Sequence, residues 1–272
     1  MRQLILLLIV PFLFNCSKNI DLNESKTNKA NIQTRSTNIL FEENFDQITS
    51  MPDTTKWSLC PKDTPVWAKY LSESYDQAFV ENGNLVLLAE KVNDTYKVGG
   101  VWTKDKFSFQ YGKIEVRARF TKTTKGGWPA IWMMPQTPKY NEGWPICGEI
   151  DIMEQLNHDL VVHHTIHSNY KNNLHLYLPI PSLISFYKKN EYNTYAVEWS
   201  KDSITFLVNG QKKLTYPNMN LRDESVKKQW PFDAPFFLIL NYAFGGENTW
   251  PGKIDDSQLP GKMEIDWVRV YQ

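Results

Sequence analysis

The chain has 272 residues, 42% hydrophobic and 14% aromatic, with 30 Lys and Arg against 30 Asp and Glu, so its formal charge is zero. This length suffices for a sizeable core, and the composition excludes collagenous, disordered and disulfide-scaffold classes. Zero charge removes the long-range attraction that a nucleic-acid binder needs, whereas 10 Trp, 13 Tyr and 14 Phe supply flat apolar faces suited to neutral sugar rings.

The N-terminus reads as a targeting segment. Arg2 supplies the positive end and Leu4 to Phe14 an apolar run too short to span a bilayer. Residues 1–15 are expected to be a signal peptide. The sequence Leu13-Phe14-Asn15-Cys16 resembles a bacterial lipoprotein signal, which makes Cys16 the expected lipidation site of an exported, membrane-anchored protein. Residues 16–38 are Asn, Ser, Thr and Lys with few large apolar side chains and read as a flexible tether. Residues 39–272 form the expected folded domain, a monomer. Its cysteines, Cys60 and Cys147, are either a disulfide or two buried thiols, because sequence separation does not report Cα distance.

From residue 39 onward, segments of period two recur: residues 84–89, 112–119, 194–199, 203–208 and 263–271. Such alternation buries one face and leaves the other to solvent or a cleft. Turn residues separate the segments, at Asn82-Gly83, Asn209-Gly210 and Gly245-Gly246. No stretch has a sustained helical period. The fold class is therefore all-β, a sandwich of two antiparallel sheets. Within it, Trp199 and Trp267 have apolar neighbours and are expected in the core.

Residues 143–154 read Gly-Trp-Pro-Ile-Cys-Gly-Glu-Ile-Asp-Ile-Met-Glu. On a regular strand Glu149 and Asp151 share a face, while Ile150 and Ile152 point the opposite way, into a core. Glu154 lies an odd number of residues from Glu149, so a regular strand would turn it inward. A β-bulge at Ile152-Met153 adds one residue and returns Glu154 to the row. Two carboxyl groups about 5–5.5 Å apart are the geometry of a retaining glycosidase, one as nucleophile and the other as acid/base. Three neighbouring anions also force at least one pKa upward, as an acid catalyst requires. The competing readings are a solvated acidic edge strand and a calcium loop, the latter opposed by Ile150, Ile152 and Met153.

This run, together with residues 106–115, Gly-Gly-Trp-Pro-Ala-Ile-Trp-Met-Met-Pro at 126–135, Trp230-Pro231-Phe232-Asp233, residues 241–246 and the closing Ile265-Asp266-Trp267-Val268-Arg269-Val270-Tyr271, resembles glycoside hydrolase family 16. The extra residue before Glu154 is similar to the bulged, laminarinase-type branch. The resemblance implies a concanavalin-like jelly roll with an open cleft, Glu149 as nucleophile, Glu154 as acid/base and Asp151 as their electrostatic partner. It implies a retaining endo-β-glycosidase acting on a β-linked glycan, with no required cofactor. The rival of another class is a non-catalytic glycan-binding module, which has no need of the paired glutamates; a transglycosylase is a variant within the enzyme class.

By the same resemblance, Trp128 and Trp132, four apart and so on one strand face, floor the sugar subsites, with Trp144 and Trp250 as further contacts. His167 is placed in the cleft beside the acid/base, with His163 a weaker candidate. Zinc on these histidines is disfavoured, because two of them share a face and no third ligand converges. Asp266 and the turn at Gly83 match positions where family members bind a structural calcium. For the substrate, β-1,3- or mixed-linked glucan is placed first, neutral galactosyl chains such as poly-N-acetyllactosamine or mucin glycans second, and algal galactan third. Residues 155–159, Gln-Leu-Asn-His-Asp, depart from the glycine that many laminarinases carry there and resemble gut-bacterial members acting on varied β-glycans.

Overall fold

The alternating segments form strands because each presents an apolar row to one interior. In a computed structural model, which describes residues 38–138, 142–222 and 228–272, sixteen strands follow one another. They are β1 (Ile39–Glu43), β2 (Ser58–Leu59), β3 (Ala78–Glu81), β4 (Asn84–Val92), β5 (Thr95–Val98), β6 (Gly100–Trp102), β7 (Gly112–Lys122) and β8 (Gly127–Pro135). Then come β9 (Glu149–Gln155), β10 (Val161–His167), β11 (Ser182–Phe186), β12 (Asn193–Trp199), β13 (Ser203–Val208), β14 (Gln211–Pro217), β15 (Phe236–Phe244) and β16 (Gly261–Tyr271). One turn of α-helix, α1 (Asn169–Asn172), lies between β10 and β11. All five segments read from period two are strands.

The strands form two antiparallel sheets, one ordered β14-β13-β12-β7-β16-β4-β3 with β1 and β5 joined to β16 and β4, the other β11-β10-β9-β8-β15-β6-β2. Ile114, Val116, Ala118 and Phe120 of β7 and Ile150 and Ile152 of β9 are almost wholly buried in the layer between the sheets. Burying a side chain of this size is worth about 1.5–3 kcal/mol, so each alternate position anchors its strand's register. The β3–β4 and β13–β14 hairpins turn at Asn82-Gly83 and Asn209-Gly210, whose four φ values are all positive, as the tightest hairpin turns require.

One expectation changes here, and one alternative left open by the sequence is decided. Trp267 is not core: the β7–β16 register shifts between Ile265 and Trp267. The shift leaves the indole partly buried, with the Arg269 guanidinium 4.5 Å from its centroid. Trp199 is core, its Nε1 donating to Phe232 O at 3.1 Å. Cys60 and Cys147 are two buried free thiols, not a disulfide. The proposed signal peptide, Cys16 and the tether up to residue 37 lie outside the described residues.

Candidate active site

The seven-stranded sheet carries the acids on the face opposite its core. Gly148 leads into β9 with φ +88°, and a Cβ there would stand 2.7 Å from Pro231, so this position excludes larger residues and lets the chain turn sharply into Glu149. The bulge is present and both neighbouring strands report it. On β10, His163 pairs with Glu154 and Thr165 with Asp151, two steps against three. On β8, Ile131 pairs with Met153 and Trp132 with Asp151, one step against two. The extra residue brings Glu149, Asp151 and Glu154 onto one open pocket, lined also by Trp67, Trp128, Ala130, Trp132 and Asn241.

The carboxylates are held by indoles and a histidine. Trp128 Nε1 donates to Glu154 Oε1 at 2.9 Å, and the Trp144 side chain hydrogen-bonds Glu149. His167 Nε2 stands 3.1 Å from Asp151 Oδ2 and 3.7 Å from Glu149 Oε1. This corrects the placement of His167: it lies opposite Glu149, and His163 is the residue paired with Glu154. His163 also packs edge-on against Trp250, with ring centroids 4.9 Å apart, and burial lowers its pKa.

Trp132 reaches the pocket but is 7% exposed. Its Nε1 donates to Asn241 Oδ1 at 2.7 Å, and Trp67 meets it edge-on at 4.9 Å, so it is a wall whose edge alone meets solvent. Trp144 and Trp250, 55% and 53% exposed, are the free aromatic faces. Trp144 lies beside His167, and Trp250 stands edge-on to Trp128, so one attends each glutamate.

Sequence reasoning missed Trp67, Asn241, Lys171 and Asn172. Trp67 sits in an isolated 3-10 turn, Val66–Ala68, with no periodic neighbours. Asn241 follows the apolar run at the start of β15, and its Nδ2 is buried with no hydrogen-bond partner among the described residues. Lys171 lies on α1 and is pulled below its ordinary pKa by burial, against the pull of Asp151, Glu154 and Glu149.

Asp266 and Gly83 lie far in sequence but near in register, since Ile265 pairs with Leu85. The Asp266 carboxylate, however, is ion-paired with Arg117, whose guanidinium lies 4.2 Å from the Tyr192 ring centroid. The residues do not fit a calcium ion, because the one side-chain carboxylate of the set is already neutralised.

Burial, and then the Asp151 charge, push Glu154 well above its ordinary pKa, while the Trp128 hydrogen bond and Lys171 oppose the rise. Burial likewise raises Glu149, with Asp151 and Glu154 adding to it. A folded-state pKa above the unfolded value of about 4.5 contributes stability that is complete below pH 4.5 and is lost as pH rises through the folded pKa. At neutral pH the acid row therefore strains the fold. Glu154→Gln should raise Tm at pH 7 by roughly 2–4 °C, equivalent to about 1 kcal/mol in a domain of this size, and the gain should vanish at pH 4. Equal melting temperatures at pH 7 in scanning calorimetry would count against the strained row.

The family model for glycosyl hydrolases family 16 matches residues 67–269, which contain every acid of the row. The chain belongs to this family. Family 16 relatives include a keratan-sulfate endo-1,4-β-galactosidase of Sphingobacterium multivorum, 39% identical over 90% of this chain and 57% of its own length. A β-glucanase of Rhodothermus marinus is 34% identical over 86% of this chain and 85% of its own. Among solved structures, one from work on endo-acting O-glycanases of prominent human gut bacteria that initiate mucin breakdown has a TM-score of 0.76. It is 38% identical and covers 86% of this chain and 99% of its own. The chain thus spans little more than half of the galactosidase it matches but the whole of the mucin-related structure.

Family 16 relatives named for glycosidase activity support an enzyme, and what sets the chain apart from a non-catalytic binding module is the pair Glu149 and Glu154 on one pocket. The two-sheet, all-β architecture agrees with solved laminarinases of the family, such as that of Rhodothermus marinus at TM-score 0.75 and 31% identity.

Proposed function

We propose that this protein is a retaining endo-β-glycosidase that cuts internal galactosyl linkages of N-acetyllactosamine-type chains, with β-glucan as the second reading. The observation that carries the chemistry is the bulge, which sets Glu149 and Glu154 on one pocket with Asp151 between them. Glu149 attacks the anomeric carbon and forms a glycosyl ester as the bond to the leaving oxygen breaks, and Glu154 gives that oxygen its proton. Glu154, now a carboxylate, takes a proton from water, which attacks the same carbon and releases Glu149. Two inversions at one carbon retain its configuration.

An internal cut requires chain to extend both ways from the acids. The exposed Trp144 beside Glu149 and Trp250 beyond Glu154 offer stacking faces on both sides. The galactosyl preference reverses the order given by the sequence. It is supported by the relatives at 39% and 38% identity, which act on keratan sulfate or come from work on mucin glycans, against 34% for the β-glucanase.

A panel of keratan and mucin oligosaccharides, laminarin, barley glucan and agarose, read by product mass, tests this. We expect galactosyl chains to be cut internally, with laminarin at least about 100-fold slower, since hydrogen-bonding sites reject a misplaced hydroxyl strongly. Laminarin cleaved faster than every galactosyl chain would restore the glucanase reading, and products longer than the substrate would indicate transglycosylation. Lipid anchoring through Cys16 belongs to the same proposal. Palmitate is expected to label the wild type and not Cys16→Ala; equal labelling would remove the anchor.

A further inference from the structure

We infer that Lys171 and Asn172 are positioning residues that fix the ring hydrogen of His167 on Nε2, facing the nucleophile and its partner. The local fold brings them there. Ser168 caps α1, its Oγ accepting from the Lys171 amide at 3.4 Å and its carbonyl accepting from the Asn172 amide at 2.9 Å. That single turn folds residues 171 and 172 back over the ring four and five positions earlier.

Asn172 Oδ1 accepts from the Ser168 amide at 3.3 Å, which orients the side chain with its NH2 toward His167. Asn172 Nδ2 is then 2.9 Å from His167 Nδ1 and Lys171 Nζ 3.4 Å from the same nitrogen, while Asn172 Oδ1, already accepting from Ser168, lies farther off than Nδ2, at 3.2 Å. An ammonium has only hydrogens to offer and the amide nitrogen likewise donates. Two donors, the nearer at 2.9 Å, against one acceptor at 3.2 Å assign His167 Nδ1 as the acceptor and place the ring hydrogen on Nε2.

That placement matters because Nε2 faces two carboxylates, at 3.1 Å from Asp151 Oδ2 and 3.7 Å from Glu149 Oε1. Asp151 Oδ2 is buried and has no aligned donor among the described residues, so it is poised to take one. With the hydrogen on Nδ1 instead, the Nε2 lone pair would repel both acids. An N–H there favours their ionised forms, and Glu149 must be ionised to attack. The groups packed around His167 are Glu149, Asp151, Lys171, Asn172 and the Trp144 ring, and among them Lys171 and Asn172 alone address Nδ1.

The consequence for turnover rests on the retaining mechanism proposed above, but the tautomer does not, and it is read without substrate. In nitrogen-15 histidine spectra of the whole protein, His167 should carry its hydrogen on Nε2. Asn172→Asp, which sets an acceptor against Nδ1, should put a hydrogen on that nitrogen. On whichever glycan the enzyme cuts, kcat should fall about tenfold or more with KM within about twofold; a misfixed tautomer in a catalytic triad costs up to about 10⁴-fold. Lys171→Arg should keep both tautomer and rate, and Lys171→Met should lose part of each. A wild-type hydrogen on Nδ1 overturns the inference whether or not any variant folds. So does an unchanged pattern in folded Asn172→Asp. Correct tautomers with no hydrolysis of any glycan would instead remove the mechanism and leave the positioning intact.

Discussion

Replacing Glu149 with alanine is expected to lower kcat by on the order of 10⁴-fold or more on every glycan the enzyme cuts, with KM little changed. In the proposed mechanism this side chain forms the bond to the anomeric carbon, a role the other acids of the row are not placed to fill. Asp151 pairs across the sheet with Trp132 and Thr165. Glu154 is held by Trp128 at the far end of the row. Azide added to Glu149→Ala can enter the vacated space and attack an activated glycoside once, giving the α-azide. Recovery of a β-azide from this variant, or activity within tenfold of wild type, would show that Glu149 is not the nucleophile.

Glu154→Ala should behave differently, and the contrast separates the two roles. Loss of the acid should cost about 10²–10⁴-fold on natural glycans, whose leaving oxygen needs a proton, and far less on an aryl glycoside whose leaving group needs none. Azide should then intercept the ester on Glu149 and yield the β-azide. The pH profile adds a further check. Because burial raises Glu154, an alkaline fall in wild-type activity is expected to follow its deprotonation. In Glu154→Ala with an aryl substrate that fall should disappear. An aryl glycoside suffering the full loss would exclude Glu154 as the acid.

The chemistry of the row was legible because it is local. Period two placed Glu149 and Asp151 on one face, and the odd spacing to Glu154 demanded one extra residue, which the shifted registers on β8 and β10 supply. The walls were less legible because they arise from contacts distant in sequence. Trp132 shares a face with Trp128, but Trp67 and Asn241, which close around it, lie 65 positions before and 109 after. His167 was matched to the wrong glutamate because strand pairing, not proximity in sequence, sets which residues face each other. Trp267 illustrates the converse limit: alternation holds only between bulges, and the one near Asp266 turned its side chain outward. Lys171 and Asn172 left no periodic trace, since a single helical turn is shorter than any window in which a helical period can be seen.

The central claim is that Glu149 becomes covalently glycosylated. An activated 2-deoxy-2-fluoro glycoside of the cleaved sugar slows breakdown of the ester more than its formation, so the intermediate accumulates. Digestion and peptide mass mapping should then find one sugar on the peptide carrying residues 149–154, with fragmentation placing it on Glu149. A label on Asp151 or Glu154, or burst-phase turnover with no labelled peptide at all, would contradict the account.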